Sequence, residues 1–135
     1  MLKRIRATLD AHIDYRAAVL GASLLGAVVY WINHEHGPAL ATTAALKQAT
    51  YTFFVGGFIV KNNIKLALRW SQPAMAISIA VMVSTLLAVG LTFLVHSLKG
   101  TPEPLLSTLP TALIGPPGFA VIAWHARKTS TGIQS

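Results

Sequence analysis

Lys47 is the side chain whose burial in a membrane would carry the highest energetic cost. It lies in a mainly apolar run that begins at Ala39, and a rise of 1.5 Å per residue places it about 12 Å along a helix starting there. A lysine at that depth stays charged only in a hydrated cavity or beside an anion. Hydroxyl groups able to bind the same ligand follow on this helix face: Thr43, Thr50 and Tyr51.

The sequence allows two interpretations of Lys47. In the first, Lys47, Thr43, Tyr51 and His96 line a cavity that binds a small anionic or lipid-like solute. In the second, the helix starts outside the hydrocarbon and Lys47 extends its ammonium group to the outer surface. The polar first turn at Thr42 and Thr43 favours the second as much as the residue types favour the first.

Histidines and carboxylates form a second group with possible chemistry, and the expected topology places them on the outer membrane face. Imidazole and carboxylate groups are suitable ligands for divalent metals. No spacing typical of a metal motif is present, so they are weak candidates for a metal or proton-sensing site: His34, Glu35, His36, His96 and Glu103.

The sequence carries no signature of catalysis. It has no paired carboxylates, phosphate-binding loop, nucleophile elbow or zinc-protease motif, and no cysteine. No acidic residue lies inside an apolar run, which leaves no membrane carboxylate for proton-coupled antiport. We therefore expect neither enzymatic activity nor a cofactor, and a membrane enzyme or sensor that uses the outer histidines is a distant third hypothesis.

Four apolar runs must position these side chains. The 135 residues are 53% hydrophobic and 11% charged, whereas soluble domains carry about 25% charged residues. Runs of this length cross about 30 Å of hydrocarbon as helices. We predict an all-α integral membrane four-helix bundle, a single domain over residues 1–135, with transmembrane helices at about 15–32, 39–60, 73–96 and 105–124.

Two of these helices have ends that the sequence leaves in question. The second run may be extended to residue 70 by a basic stripe with a period of four, which is expected to contact lipid headgroups: Lys61, Lys65 and Arg69. In the fourth run, Gly115, Pro116, Pro117 and Gly118 are expected to kink or end the helix, because proline removes backbone donors.

Charge placement predicts the orientation. Residues 1–14 show an apolar face at intervals of three and four, typical of a short amphipathic interfacial helix. With the N-terminus inside, nine Lys and Arg residues lie on the inner side: Lys3, Arg4, Arg6, Arg16, Lys61, Lys65, Arg69, Arg127 and Lys128. The outer loops hold only Lys99, so both termini are predicted to be cytoplasmic, in an inner membrane of bacterial type. The net charge of +7 follows this topology and does not indicate nucleic acid binding.

Small residues at intervals of four predict how the helices pack. The third run carries five of them, Ala76, Ala80, Ser84, Ala88 and Thr92, and the first run carries Ala18, Ala22 and Gly26. Such stripes let helix backbones approach closely in lipid. A short match between residues 52–58 and 111–119 suggests an internal repeat, but the match is apolar and needs a gap, so chance explains it better.

The sequence favours two functions. The first is an oligomeric transporter or channel, or a subunit of one, for a small anionic or lipid-like solute. The alternative is a non-catalytic accessory subunit of a larger membrane complex. The expected partners are membrane lipids and either further copies of the chain or that complex.

Overall fold

The protein is described by a computed structural model that covers residues 2–98 and 104–132, apart from the side chains of residues 2–6, 96, 104, 106–107 and 131–132. The described residues form helices and turns, with no strand among them, which confirms the predicted all-helical fold. The helices are α1 (Leu2–His12), α2 (Tyr15–Asn33), α3 (Pro38–Tyr51), α4 (Gly57–Ala67), α5 (Pro73–Leu98) and α6 (Pro104–Gly132). They group into two compact units, unit 1 (Met1–Lys61) and unit 2 (Asn62–Ser135), which divide within α4.

Unit 1 contains a helical hairpin in which α2 packs along α3. Asp14 caps the start of α2, because its side chain accepts a hydrogen bond from the backbone N–H of Ala17 at 3.0 Å. A single 3-10 turn over His34–His36 follows α2, and Gly37 then adopts a positive φ of 93° that glycine tolerates without strain. Pro38 begins α3, where its missing N–H costs nothing.

The second predicted run is not one uninterrupted α-helix. A π-helical turn over Thr52–Gly56, called the π segment below, separates α3 from α4, and α4 ends at Ala67. The helical path therefore continues beyond residue 60 and ends three residues before the optional limit at residue 70. Sequence periodicity missed the π segment because its residues are as apolar as those of an ordinary α-helix.

Unit 2 contains a second hairpin, in which α5 packs along α6. The predicted burial of the five-residue stripe on α5 is confirmed, since Ala76, Ala80, Ser84, Ala88 and Thr92 are all buried. Ala80 forms a small apolar cluster with Ala67 of α4 and Ala123 of α6. Small side chains thus let three helices meet in one place.

The structure does not show the predicted helix end at residues 115–118, and a kink there stays a prediction. Helix α6 runs continuously from Pro104 to Gly132 through Pro110, Pro116 and Pro117, and it ends eight residues beyond the predicted limit of 124. The ring of proline fixes φ near −65°, which is a helical value, so the two adjacent prolines remove backbone donors without forcing the chain out of the helix.

Two helical stretches are long and apolar enough to cross a membrane, Tyr15–His36 and Pro73–Val95. They coincide with the first and third predicted transmembrane helices. The four-span arrangement stays a prediction.

Candidate functional site

A buried polar contact joins α4 to α5 inside unit 2. The side-chain amide of Asn63 donates a hydrogen bond to the hydroxyl of Ser84 at 3.1 Å, and both residues are almost completely buried. Asn63 lies one turn before Ala67 on α4, and Ser84 lies one turn after Ala80 on α5, so the contact adjoins the alanine cluster. Neither group titrates at physiological pH, and the pair therefore orients two helices and offers no acid–base chemistry.

The side-chain oxygen of Asn63 in this polar contact accepts no hydrogen bond from the described residues. Among the described residues, Oδ1 of Asn63 is buried without a hydrogen-bond partner, and so is Oγ1 of Thr85 on the next position of α5. A buried amide with one unsatisfied oxygen costs free energy. The position is consequently sensitive to changes in either Asn63 or Ser84.

Arg127 on α6 closes the C-terminal end of α4. Its guanidinium donates hydrogen bonds to three backbone carbonyls, those of Ala67 at 2.6 Å, Trp70 at 2.9 Å and Ser71 at 3.0 Å. The last carbonyls of a helix lack partners within it and carry partial negative charge. The half-buried guanidinium of Arg127 supplies both hydrogen-bond donors and a positive charge to these carbonyls, and it thereby holds the end of α4 against α6.

Two cation–aromatic pairs flank the Arg127 contacts. The guanidinium carbon of Arg69 lies 5.5 Å from the ring centre of Trp70, and Nζ of Lys128 lies 5.2 Å from that of Trp124. Arg69 and Lys128 are exposed, as is Lys65. The described residues of unit 2 include no aspartate or glutamate. This end of unit 2 therefore presents several cationic side chains.

In unit 1, the junction between α1 and α2 packs against the π segment and the start of α4. The backbone N–H of Asp14 donates to the carbonyl of Gly57 at 3.3 Å, and a Cβ on Gly57 would lie only 2.7 Å from Cγ2 of Ile13 and 2.9 Å from Cβ of Ala18. Nζ of Lys61 donates to the carbonyl of Asp10 at 3.4 Å. Only glycine at position 57 lets the backbone of α4 lie this close to Ile13 and Ala18.

The residues predicted to bind a substrate do not form one site in the described part of the chain. Lys47 is exposed, and the described residues give it no hydrogen-bond or ion-pair partner. The hydroxyl of Thr43 donates back to the carbonyl of Ala39 at 2.8 Å, within its own helix. Tyr51 is half-buried at the end of α3, and the side chain of His96 lies outside the described residues.

The outer-face candidates for a metal do not converge either. Nδ1 of His34 is hydrogen-bonded to the carbonyl of Trp31, and the two rings stack with centres 4.9 Å apart. Glu35 and His36 are exposed, and Glu103 lies outside the described residues. Within residues 2–98 and 104–132 no three His, Asp or Glu side chains are grouped closely enough to hold a metal ion.

The three residues predicted to contact headgroups differ in their surroundings. Lys65 and Arg69 are exposed, as lipid contact requires, whereas Lys61 is half-buried and bonded to Asp10. The prediction of headgroup contact itself stays open for all three.

Sequence reasoning missed Asn63 and the helix-capping action of Arg127. A signal for Asn63 was present, because Ile59, Asn63 and Ala67 recur every four residues on a face separate from the basic stripe. All three are buried. A polar residue within an apolar stripe of a helix is a candidate for a contact between helices.

Comparison of the chain with known protein families, with curated proteins and with solved structures gives no match.

Proposed function

We propose that the protein is a multi-pass integral membrane protein that serves as a non-catalytic subunit of a larger membrane assembly. Four helical passes, with α3 to α4 and α6 added to the two long apolar stretches, leave both termini in the cytoplasm.

The membrane location is supported by how little of the apolar surface is buried. Only 17% of the apolar window in Tyr15–His36 and 22% of that in Pro73–Val95 is buried. The core helix of a soluble protein would be mostly buried, whereas Leu20, Leu86 and Leu113 expose about 70% of their surface. Lipid chains are the solvent that suits such side chains.

The surroundings of Lys47 favour a subunit over a transporter. A transporter that binds an anion through Lys47 needs the ammonium group inside a hydrated cavity. Lys47 is instead exposed, and the hydroxyl of Thr43 one turn away is engaged within its own helix. A lysine that extends to the headgroups accounts for both observations and requires no solute.

An oligomeric transporter or channel for a small anionic or lipid-like solute is the second candidate. The π segment favours it, because π turns inside helices are frequent at functional sites. The third hypothesis, an enzyme or sensor built on the outer histidines, has no comparable observation in its favour.

Reconstitution of the purified full chain into liposomes tests the choice. We expect anion flux no greater than in empty liposomes, and equal flux with Lys47→Met. In native membranes, extraction in mild detergent should give a complex of fixed composition whose mass is unchanged by Lys47→Met. A flux that the wild-type chain supports and Lys47→Met abolishes would establish the transporter instead.

Orientation is tested by single cysteines, since the chain has none of its own. Lys65→Cys and Ser130→Cys should react with a membrane-impermeant maleimide only after the cells are permeabilised. Glu35→Cys should react in intact cells. Labelling of positions 65 or 130 from outside would contradict the proposed topology.

A further inference from the structure

The basic end of unit 2 is built from two segments that lie far apart in the sequence. Arg69 and Trp70 follow α4, whereas Trp124 and Lys128 belong to the last turns of α6. Arg127 is adjacent to Lys128, and it bonds to the carbonyl of Trp70 and to its neighbour Ser71. The two cation–aromatic pairs therefore flank one set of hydrogen bonds.

From this arrangement we propose that the basic end of unit 2 binds the phosphate of an anionic phospholipid headgroup in the cytoplasmic leaflet. The binding residues are Lys65, Arg69 and Lys128, with Trp70 and Trp124 at the level of the headgroups. Arg127 is a positioning residue that holds the end of α4 against α6. The inference depends on the membrane location proposed above.

Charge and side-chain chemistry favour this ligand. The three cations are exposed, and two of them, Arg69 and Lys128, each lie against a tryptophan ring. Tryptophan is enriched where hydrocarbon meets headgroups, because its ring is apolar and its N–H is a donor. Clustered lysine and arginine beside transmembrane helices attract anionic lipids. Adjacent cations and indole rings match a lipid better than a free phosphate, which has no apolar part.

The test uses the full chain with Trp31→Phe, which leaves Trp70 and Trp124 as the only fluorescent reporters among the three tryptophans. The protein is placed in phosphatidylcholine vesicles that contain brominated phosphatidylglycerol or brominated phosphatidylcholine, and quenching gives the relative association of the two lipids. We expect phosphatidylglycerol to be preferred, and Arg69→Gln with Lys128→Gln to lower that preference about fivefold for each charge removed.

Two controls separate a site from general charge attraction. Lys47→Gln removes an exposed lysine from α3 and should leave the preference unchanged. Arg127→Gln keeps all three lipid-binding cations, and it should lower the preference because the end of α4 is no longer held to α6. Equal preference in wild type and the Arg69/Lys128 variant, or an equal loss with Lys47→Gln, would overturn the inference.

The two proposals fail in distinguishable ways. If alkaline carbonate extracts the chain from vesicles, the proposed membrane-spanning function is wrong, and the lipid site is wrong with it. If the chain resists carbonate but quenching shows no preference for phosphatidylglycerol, only the lipid site is overturned.

Discussion

Units 1 and 2 each contain a helical hairpin, and small residues bring helices close together in both, but in unit 2 buried or half-buried polar side chains join the helices as well. Unit 1 is closely packed at Gly57, because the absence of a Cβ there lets Ile13 and Ala18 approach the helix that follows the π segment. In unit 2, side-chain hydrogen bonds join the helices. Asn63 donates to Ser84, and Arg127 donates to three backbone carbonyls. Unit 1 should therefore be sensitive to added volume at a glycine, and unit 2 both to added volume at its alanine cluster and to lost polar partners.

The two segments of similar sequence, residues 52–58 and 111–119, also differ in helix type and packing. The first contains the π segment, whereas the second lies inside the continuous helix α6. A Cβ on Gly57 would clash with its neighbours, but a Cβ on Gly118 would meet nothing within 4 Å. Phe58 is exposed and Phe119 is buried. Similar residues thus serve different packing, which agrees with the sequence match being a coincidence.

The largest loss of stability is expected from a substitution that disrupts the helix contacts of unit 2. Ala80→Leu adds volume at a fully buried position of the alanine cluster, so the free energy of unfolding should fall by about 3 kcal/mol through overpacking. Unfolding in detergent micelles by added SDS measures the change. Ala74→Leu makes the same substitution at an exposed position of the same helix and should be tolerated. Equal tolerance of both variants would remove the claim that this stripe is a packing surface.

A somewhat smaller effect should break the close approach in unit 1. Gly57→Ala places Cβ within 3 Å of Ile13 and Ala18, so we expect a loss of about 2 kcal/mol in the same assay. Gly90→Ala is the matched control, because its Cβ would meet nothing within 4 Å, and alanine in a helix interior is more stable than glycine by roughly 0.5–1 kcal/mol. If Gly57→Ala stabilised the protein as Gly90→Ala should, the contrast between the units would fail.

The smallest expected effect isolates the polar contact of unit 2 without adding volume. Ser84→Ala removes the hydroxyl that accepts from Asn63, and the amide is then buried with neither end satisfied. Hydrogen bonds between membrane helices contribute about 0.6 kcal/mol on average, so a loss of about 1 kcal/mol is expected once the stranded amide is included. Ser23→Ala at an exposed position of α2 should change stability by less than about 0.5 kcal/mol. A Ser84→Ala variant as stable as Ser23→Ala would show that the contact is dispensable.

The sequence alone determined the helical class and the residues of the α5 packing stripe. Both depend on local pattern, since apolar runs of membrane length and small residues every four positions need no knowledge of the partner helix. The candidate substrate site stays a prediction. Lys47 and Thr43 were chosen by residue type, but burial and hydrogen bonding depend on neighbours that the pattern does not reveal.

Tertiary structure decided the features that join distant segments. The π segment lies where the junction of α1 and α2 packs against Gly57, more than 40 residues later in the chain. The three carbonyls bonded by Arg127 lie more than 50 residues before it. Likewise α6 continues through Pro116 and Pro117 although proline disfavours a helix interior, because packing along α5 stabilises the helix as a whole while propensity acts on one residue at a time.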